Sequence, residues 1–202
     1  MLEDDIKTNI LIAAKEEFML NGFNGASIRN IAQKANLTTG AIYNRFIGKD
    51  EMFEALVGKR AKELLDCFNF SQDEFMRLDP KEQEEIMYSY TEGKVTKMID
   101  IIYSDLEIFD IIINKSVGSR YEFYIDNMVD REVESTLAFM EVLKKMGHKV
   151  STVDITLIHM ICSAMFNLFF EPIRHKMKKE DAIKYVNEAF KFFNAGWDAI
   201  FN

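Results

Sequence analysis

The chain has 202 residues, 48% of them apolar and 29% charged, with a net charge of -8. That balance sustains a hydrophobic core and excludes a disordered chain. Only 9 Gly and 2 Pro are too few for the tight turns of a sheet protein of this length, so the composition points to long helices.

Helices are expected near 3–21, 28–35, 39–45, 49–70, 80–103, 105–116, 120–146, 152–174 and 180–201, with 71–78 as an interruption holding at most a short helical turn. The starts follow capping patterns, a Ser or Asp three residues ahead of an acid. Asp79-Pro80-Lys81-Glu82 adds Pro at the first helical position, and Ser104…Glu107, Ser119…Glu122 and Ser151…Asp154 repeat the pattern. Gly22, Gly118 and Gly147 fall where a left-handed residue would end a helix. Three short, tightly joined segments are followed by long ones. The expected architecture is therefore all-α with about nine helices: a small domain over 1–48, then a larger helical domain over 49–202.

The opening run Met1-Leu2-Glu3-Asp4-Asp5 is acidic and unlike a secretory signal. The most apolar stretch, Ile155 to Phe170, is shorter than a bilayer span and reads as a buried helix. Cys67 and Cys162 lie 95 residues apart with no CxxC, which excludes zinc ribbons and thioredoxin-type motifs. The chain is expected to be soluble and cytoplasmic, with no membrane partner and no cofactor or metal.

The charge is unevenly spread. Residues 1–50 carry 6 basic and 6 acidic side chains, whereas 51–202 carry 19 and 27. From Phe18 to Lys49 there is no Asp or Glu, yet Arg29, Lys34, Arg45 and Lys49 are present. A surface that faces phosphate excludes carboxylates, because each one repels the backbone charge.

Within that stretch, Ser27 to Phe46 reads SIRNIAQKANLTTGAIYNRF. Ile28, Ile31, Ala32 and Ala35 form an apolar stripe at helical spacing. Asn36-Leu37-Thr38 is a short turn, and Ile42 and Phe46 face inward from a second short helix. This is the helix-turn-helix plan. The second helix presents Thr38, Thr39, Gly40, Tyr43, Asn44 and Arg45. Arg45 suits guanine or phosphate, Asn44 an adenine edge, and the hydroxyls phosphate. Ser27 and Thr38 are equally placed to cap the two helices, and Tyr43 could be partly core.

From Ala13 to Leu56 the sequence, AAKEEFMLNGFNGASIRNIAQKANLTTGAIYNRFIGKDEMFEAL, resembles the tetracycline-repressor (TetR) family of bacterial transcription regulators. Phe18, Gly22-Phe23, Ser27, Ile31-Ala32, Gly40, Ile42-Tyr43, Phe46, Lys49 and Glu51-Met52 carry the resemblance. The family commonly has a basic residue at the position of Thr39 and often His at that of Arg45. The resemblance implies a homodimeric, ligand-responsive repressor that grips a palindromic operator in double-stranded DNA. Carried over by position, Arg29 and Thr39 to Arg45 would face the major groove, and Ser27, Thr38, Tyr43 and Lys49 would hold phosphates. It also implies a C-terminal domain that binds a small effector and dimerises.

After residue 98 aromatic and Met side chains are interleaved. Met98, Tyr103, Phe109, Tyr121, Tyr124, Met128, Phe139 and Phe166 are candidates to line an effector cavity, with ordinary packing core as the alternative. Adaptable Met and large rings suit a largely apolar small molecule. Glu122, Asp126, Asp130 and Glu134 are either a solvated face or the complement of a cation. Ile158, Cys162, Met165 and Phe169 on one helix, and Val186, Phe190, Phe193 and Trp197 on the last, are candidates for the seam of a dimer, with an intrachain hairpin as the alternative. A helical enzyme is disfavoured. His148, His159 and His175 form no HExxH, and no phosphate-binding loop or nucleophile elbow occurs.

Overall fold

The computed structural model describes residues 3–201; Met1 and Leu2 of the acidic opening run, and Asn202, lie outside the described residues. The described residues form nine helices and no strand: α1 (Glu3–Gly25), α2 (Ile28–Lys34), α3 (Thr39–Tyr43), α4 (Lys49–Arg77), α5 (Pro80–Ser104), α6 (Leu106–Asn114), α7 (Tyr124–Lys145), α8 (Ile155–Arg174) and α9 (Lys179–Phe201).

Several boundaries follow the local signals. Gly22 breaks α1 with a φ of 66°, a left-handed conformation that costs glycine nothing. Asp79 accepts a hydrogen bond from Lys81 N at the start of α5, and Asp154 from Thr156 N at the start of α8. Asp154 itself is the cap of α8, so the Ser151…Asp154 pair is not the box expected.

Two expectations are corrected. The stretch 71–78 does not interrupt the chain, because α4 continues to Arg77. It contains no Gly or Pro, and Ser71 turns its hydroxyl back to the Cys67 carbonyl at 2.9 Å, so nothing stops the helix before Asp79-Pro80. Nor does a helix start at Ser119…Glu122. Ser119 Oγ accepts from Tyr121 N at 3.0 Å and Glu122 Oε2 from Gly118 N at 3.1 Å. The reciprocal caps therefore close a turn, and α7 begins only at Tyr124.

The chain divides into two compact units. The first runs up to Glu63 and takes in Asp105–Tyr124; the second comprises Leu64–Ser104 and residues from Ile125 onward. In the first, Phe18, Phe23 and Phe53 meet at 5.0 to 6.1 Å between ring centroids. Ile31, Ala32, Ile42 and Phe46 are buried in the same unit, each large side chain contributing about 1.5–3 kcal/mol. The segment after α6 is tied to the same unit: Lys115 O accepts from Phe23 N at 2.7 Å, and Tyr121 and Tyr124 donate to Glu54 and to the Ala61 carbonyl at 2.8 and 2.7 Å.

In the second unit α9 packs on α5 and α8. The helix α8 is long and apolar enough to cross a membrane by length and composition. Its inner face, with Ile158, Cys162, Phe166, Phe170 and Ile173, is buried in the core of this unit. Burial pushes the Cys162 thiol up to about 12, so it behaves as a small apolar side chain.

Candidate nucleic-acid interface and cavity

Two interactions set the angle between α2 and α3. Asn36 takes a φ of 54°, Leu37 N donates to Ala32 O at 2.9 Å and Asn36 N to Gln33 O at 3.1 Å. This pair of bonds around a left-handed residue closes the end of α2. Thr38 then caps α3, its hydroxyl accepting from Ala41 N at 3.2 Å. A second cap positions α4: Glu51 Oε2 accepts from Ile47 N at 2.6 Å.

On this frame Arg29, Thr38, Thr39, Gly40, Tyr43 and Asn44 are exposed, with Tyr43 at 57%. Tyr43 is thus a surface residue and not core. Ser27 sits at the cap position of α2, but its hydroxyl makes no capping bond, which leaves it available to a ligand. Lys49, the first residue of α4, lies over the Phe23 ring at 4.5 Å and donates to Asn24 O at 3.3 Å. Arg45 is half-buried. Its guanidinium turns back to the Ala41 carbonyl at 3.1 Å, and its Nε is buried without a partner. It closes the end of α3 in this state instead of projecting outward as expected.

Two residues of the region were not singled out in the sequence. Ile47 is 90% exposed beside the start of α4. Glu17 is only 1% exposed and accepts from Asn21, Asn30 and Ser27 N at 3.0, 3.0 and 3.3 Å. Lys34 Nζ lies 3.0 Å from its other oxygen. Burial raises the Glu17 pKa, but the bonds from Asn30, Lys34 and Ser27 outweigh it, and the net shift is downward. Glu17 immediately precedes the acid-free stretch and neutralises one of its four cations from inside. An acid one turn from Ala13 and Ala14 on an apolar stripe is the signal that marks it.

The second unit contains a two-lobed cavity, about 90 Å³ in its larger lobe and partly open to solvent. The lobes share Thr91, Lys94, Glu132, Met165 and Phe190. Of the eight residues expected to line an effector site, Phe139 lines one lobe, and Met98 and Phe166 the other. Tyr103, Phe109, Tyr121, Tyr124 and Met128 line neither. Phe109, Tyr124 and Met128 are packed core, and Tyr103 donates to Met177 O at 2.9 Å.

The candidates for a dimer seam are turned inward. Ile158, Cys162, Met165, Phe169, Val186, Phe190 and Trp197 are at most 9% exposed within the single chain, and only Phe193 is half-exposed. Met165, Phe190 and Trp197 instead line the cavity. The same helices leave other apolar side chains outside: Ile155, Leu157 and Met160 on α8, and Tyr185 and Phe192 on α9. Glu122, Asp126, Asp130 and Glu134 are exposed. Glu171 and His175 form an exposed pair at 2.9 Å.

Residues 10–56 match the family model for bacterial regulatory proteins, tetR family. The HTH-type transcriptional regulator UidR of Escherichia coli is 37% identical over 51 residues, 25% of this chain and 26% of UidR. The regulator SrpR of Pseudomonas putida is 37% identical over 57 residues, 28% of this chain and 27% of SrpR. The similarity thus spans about a quarter of the length of these curated relatives. Among solved structures, a TetR-like transcriptional regulator from Rhodococcus sp. RHA1 has a TM-score of 0.60 at 16% identity, covering 97% of this chain and 99% of that one. FadR from Bacillus subtilis, in complex with stearoyl-CoA, has a TM-score of 0.53 at 13% identity, covering 90% and 95%. At these identities the structural likeness speaks for the fold.

Proposed function

We propose that this chain, whose residues 10–56 match the model for bacterial regulatory proteins of the tetR family, belongs to that family and is a ligand-responsive repressor that binds a palindromic operator as a homodimer. The observation that carries the reading is the exposed, carboxylate-free face of α3, Thr38 to Asn44, set against α2 by a capped turn. Such a face suits the major groove, with flanking hydroxyls and Lys49 on phosphates. Family members are regulators, and the roles of the chain's residues are binding roles. A cytoplasmic location follows from action on DNA. Selecting genomic fragments with the full-length protein and footprinting them tests the reading. Protection of a two-fold site with half-sites about 34–36 Å apart is expected, and failure to enrich any fragment would refute it.

Gly40 gives a test that separates binding from folding. Its backbone is ordinary helix, and an added Cβ would come no nearer than 3.8 Å to Thr38 Oγ1. Gly40→Ala should therefore keep or raise stability, by about 0.5–1 kcal/mol. If DNA closes on this face, operator affinity should fall about tenfold or more, the size of one lost groove contact. Fluorescence anisotropy and thermal unfolding of the same sample measure both. Unchanged affinity would show that the operator does not approach at Gly40.

The dimer reading moves to the residues that the single chain leaves uncovered. Met160 and Phe192 are 62% and 77% exposed, so a charge at either does not disturb the core of one subunit. In a dry seam the same charge is costly. Met160→Asp with Phe192→Asp should sediment as a folded monomer with wild-type helix content. A folded dimer would place the interface elsewhere.

The cavity supports an effector reading, and the stearoyl-CoA held by the Bacillus subtilis FadR structure illustrates a ligand in a related fold. Gln72 and Phe75 on α4 line the cavity, and the same helix begins at Lys49. An effector that displaces α4 thereby acts on a helix that carries a phosphate contact. A full switch requires about 10⁴-fold preference for the DNA-free state.

A further inference from the structure

The cavity wall holds one ion pair, Lys94 on α5 with Glu132 on α7 at 3.2 Å, the side chains 12% and 20% exposed. Both donors that reach Glu132, Lys94 Nζ and Gln72 Nε2, converge on Oε2. Among the described residues no donor reaches Oε1. Three residues along α7, and so on the same helix face, Ser135 is 9% exposed, and its hydroxyl has no hydrogen-bond partner. It lines the same lobe. Two oxygens on one helix face thus lack a donor among the described residues, whereas the Lys94 ammonium is already committed to Glu132 and to the Phe68 ring at 4.4 Å.

The surrounding wall is aromatic. Trp197 stacks on Phe201 at 5.5 Å, and Phe139 meets Phe201 edge-on at 5.6 Å. Two tyrosines of the lining donate their hydroxyls to solvent-exposed carboxylates, Tyr88 to Asp198 and Tyr90 to Glu74, the latter at 2.8 Å. The wall itself holds one ammonium and one carboxylate, already paired with each other. An anionic ligand would set its charge beside Glu132 with the one ammonium of the wall already paired, and a purely apolar one would leave a buried hydroxyl unsatisfied. A protonated amine supplies the missing donors, and aromatic faces attract it further.

We propose that the effector is a protonated primary or secondary amine with an aromatic or branched apolar body, its ammonium donating to Glu132 Oε1 and Ser135 Oγ. This head-group assignment rests on reading the cavity as the effector site.

The chain has one tryptophan, and Trp197 lines the cavity, so selectively excited fluorescence reports occupancy. The full-length protein is titrated with phenylbutylamine, phenylbutanol and phenylbutyrate, one skeleton with three heads. The amine should bind about tenfold or more tighter than the alcohol, as charge-assisted hydrogen bonds predict, and the acid should bind most weakly. Glu132→Gln should bring the amine down to the level of the alcohol, and Ser135→Ala should weaken the amine alone. An alcohol or acid that binds as tightly as the amine overturns the proposal. So does a folded wild-type protein whose fluorescence millimolar amine leaves unchanged. If Glu132→Gln does not fold, the three-head series and Ser135→Ala decide. Operator release is measured separately. Selective amine binding without release upholds the head-group assignment and removes the effector reading; release by the acid but not by the amine overturns the assignment and keeps the effector reading.

Discussion

Glu17→Ala is expected to destabilise the first unit by about 3 kcal/mol, so that it unfolds, and loses DNA binding, at denaturant concentrations the wild type withstands, although Glu17 faces no DNA. Its carboxylate accepts from Asn21, Asn30 and Ser27 N and pairs with Lys34. It therefore joins α1 to both ends of α2. Removing it leaves a backbone N–H, two amides and an ammonium without their acceptor. The cost is about 3 kcal/mol, the scale for breaking a buried charged network, out of a total stability of about 5–15 kcal/mol. Denaturant unfolding, with hydrogen exchange to localise the loss to α1 and α2, checks the size.

The same residue fixes an acid limb. The folded pKa of Glu17 lies below its ordinary value of 4.5, because bonds from Asn30, Lys34 and Ser27 outweigh burial. The folded state thus binds the proton less readily than the unfolded state. The contribution of Glu17 is fully present above 4.5 and is lost as pH falls below that value through the folded pKa. Glu17→Gln, which keeps the shape without the titration, should flatten stability over that window. An unaltered acid limb would mean that other carboxylates set it.

The helix-turn-helix was legible because it is specified locally. The stripe Ile28, Ile31, Ala32, Ala35, the left-handed Asn36 and the capping Thr38 are neighbours in sequence, and each makes its structure within five residues. Long-range pairing was not legible in this way. Apolar spacing on α8 and α9 shows that a face is covered, but not what covers it. Met165, Phe190 and Trp197 have the pattern of a seam between subunits, yet they are covered by their own chain and line its cavity. Tyr121 and Tyr124 read as cavity aromatics, yet their hydroxyls reach Glu54 and Ala61, more than 60 residues away in sequence. For Arg45 the residue type was informative but the direction was not, because the free carbonyl of Ala41 competes for its guanidinium.

The paired state of Lys34 determines the salt dependence of operator binding. Counting residue types gives four cations in the acid-free stretch: Arg29, Lys34, Arg45 and Lys49. The structure removes Lys34, whose ammonium lies 3.0 Å from the buried Glu17 carboxylate. Three cations per protomer in a dimer then neutralise about six phosphates, and log K should fall against log salt with a slope of about -5.4. Between about 50 and 200 mM salt the affinity should drop about 10³-fold. Had Lys34 left Glu17 for the backbone, the slope would be about -7 and the drop about 10⁴-fold, a difference that anisotropy titrations resolve. Lys49→Met should lessen the slope by about 1.8 in a dimer and weaken all sequences alike. Arg45→Ala must first be checked for stability, since it also removes the bond to the Ala41 carbonyl. If Arg45 swings out to read a base, its loss should relax the consensus at one position in each half-site. An unchanged consensus with a slope near -3.6 would leave Arg45 as a cap of α3 and the count at two cations per protomer, whereas an unchanged consensus with a slope near -5.4 would place it on phosphate. The slope and the selected consensus together therefore assign each cation of the stretch to phosphate, to a base or to the protein itself.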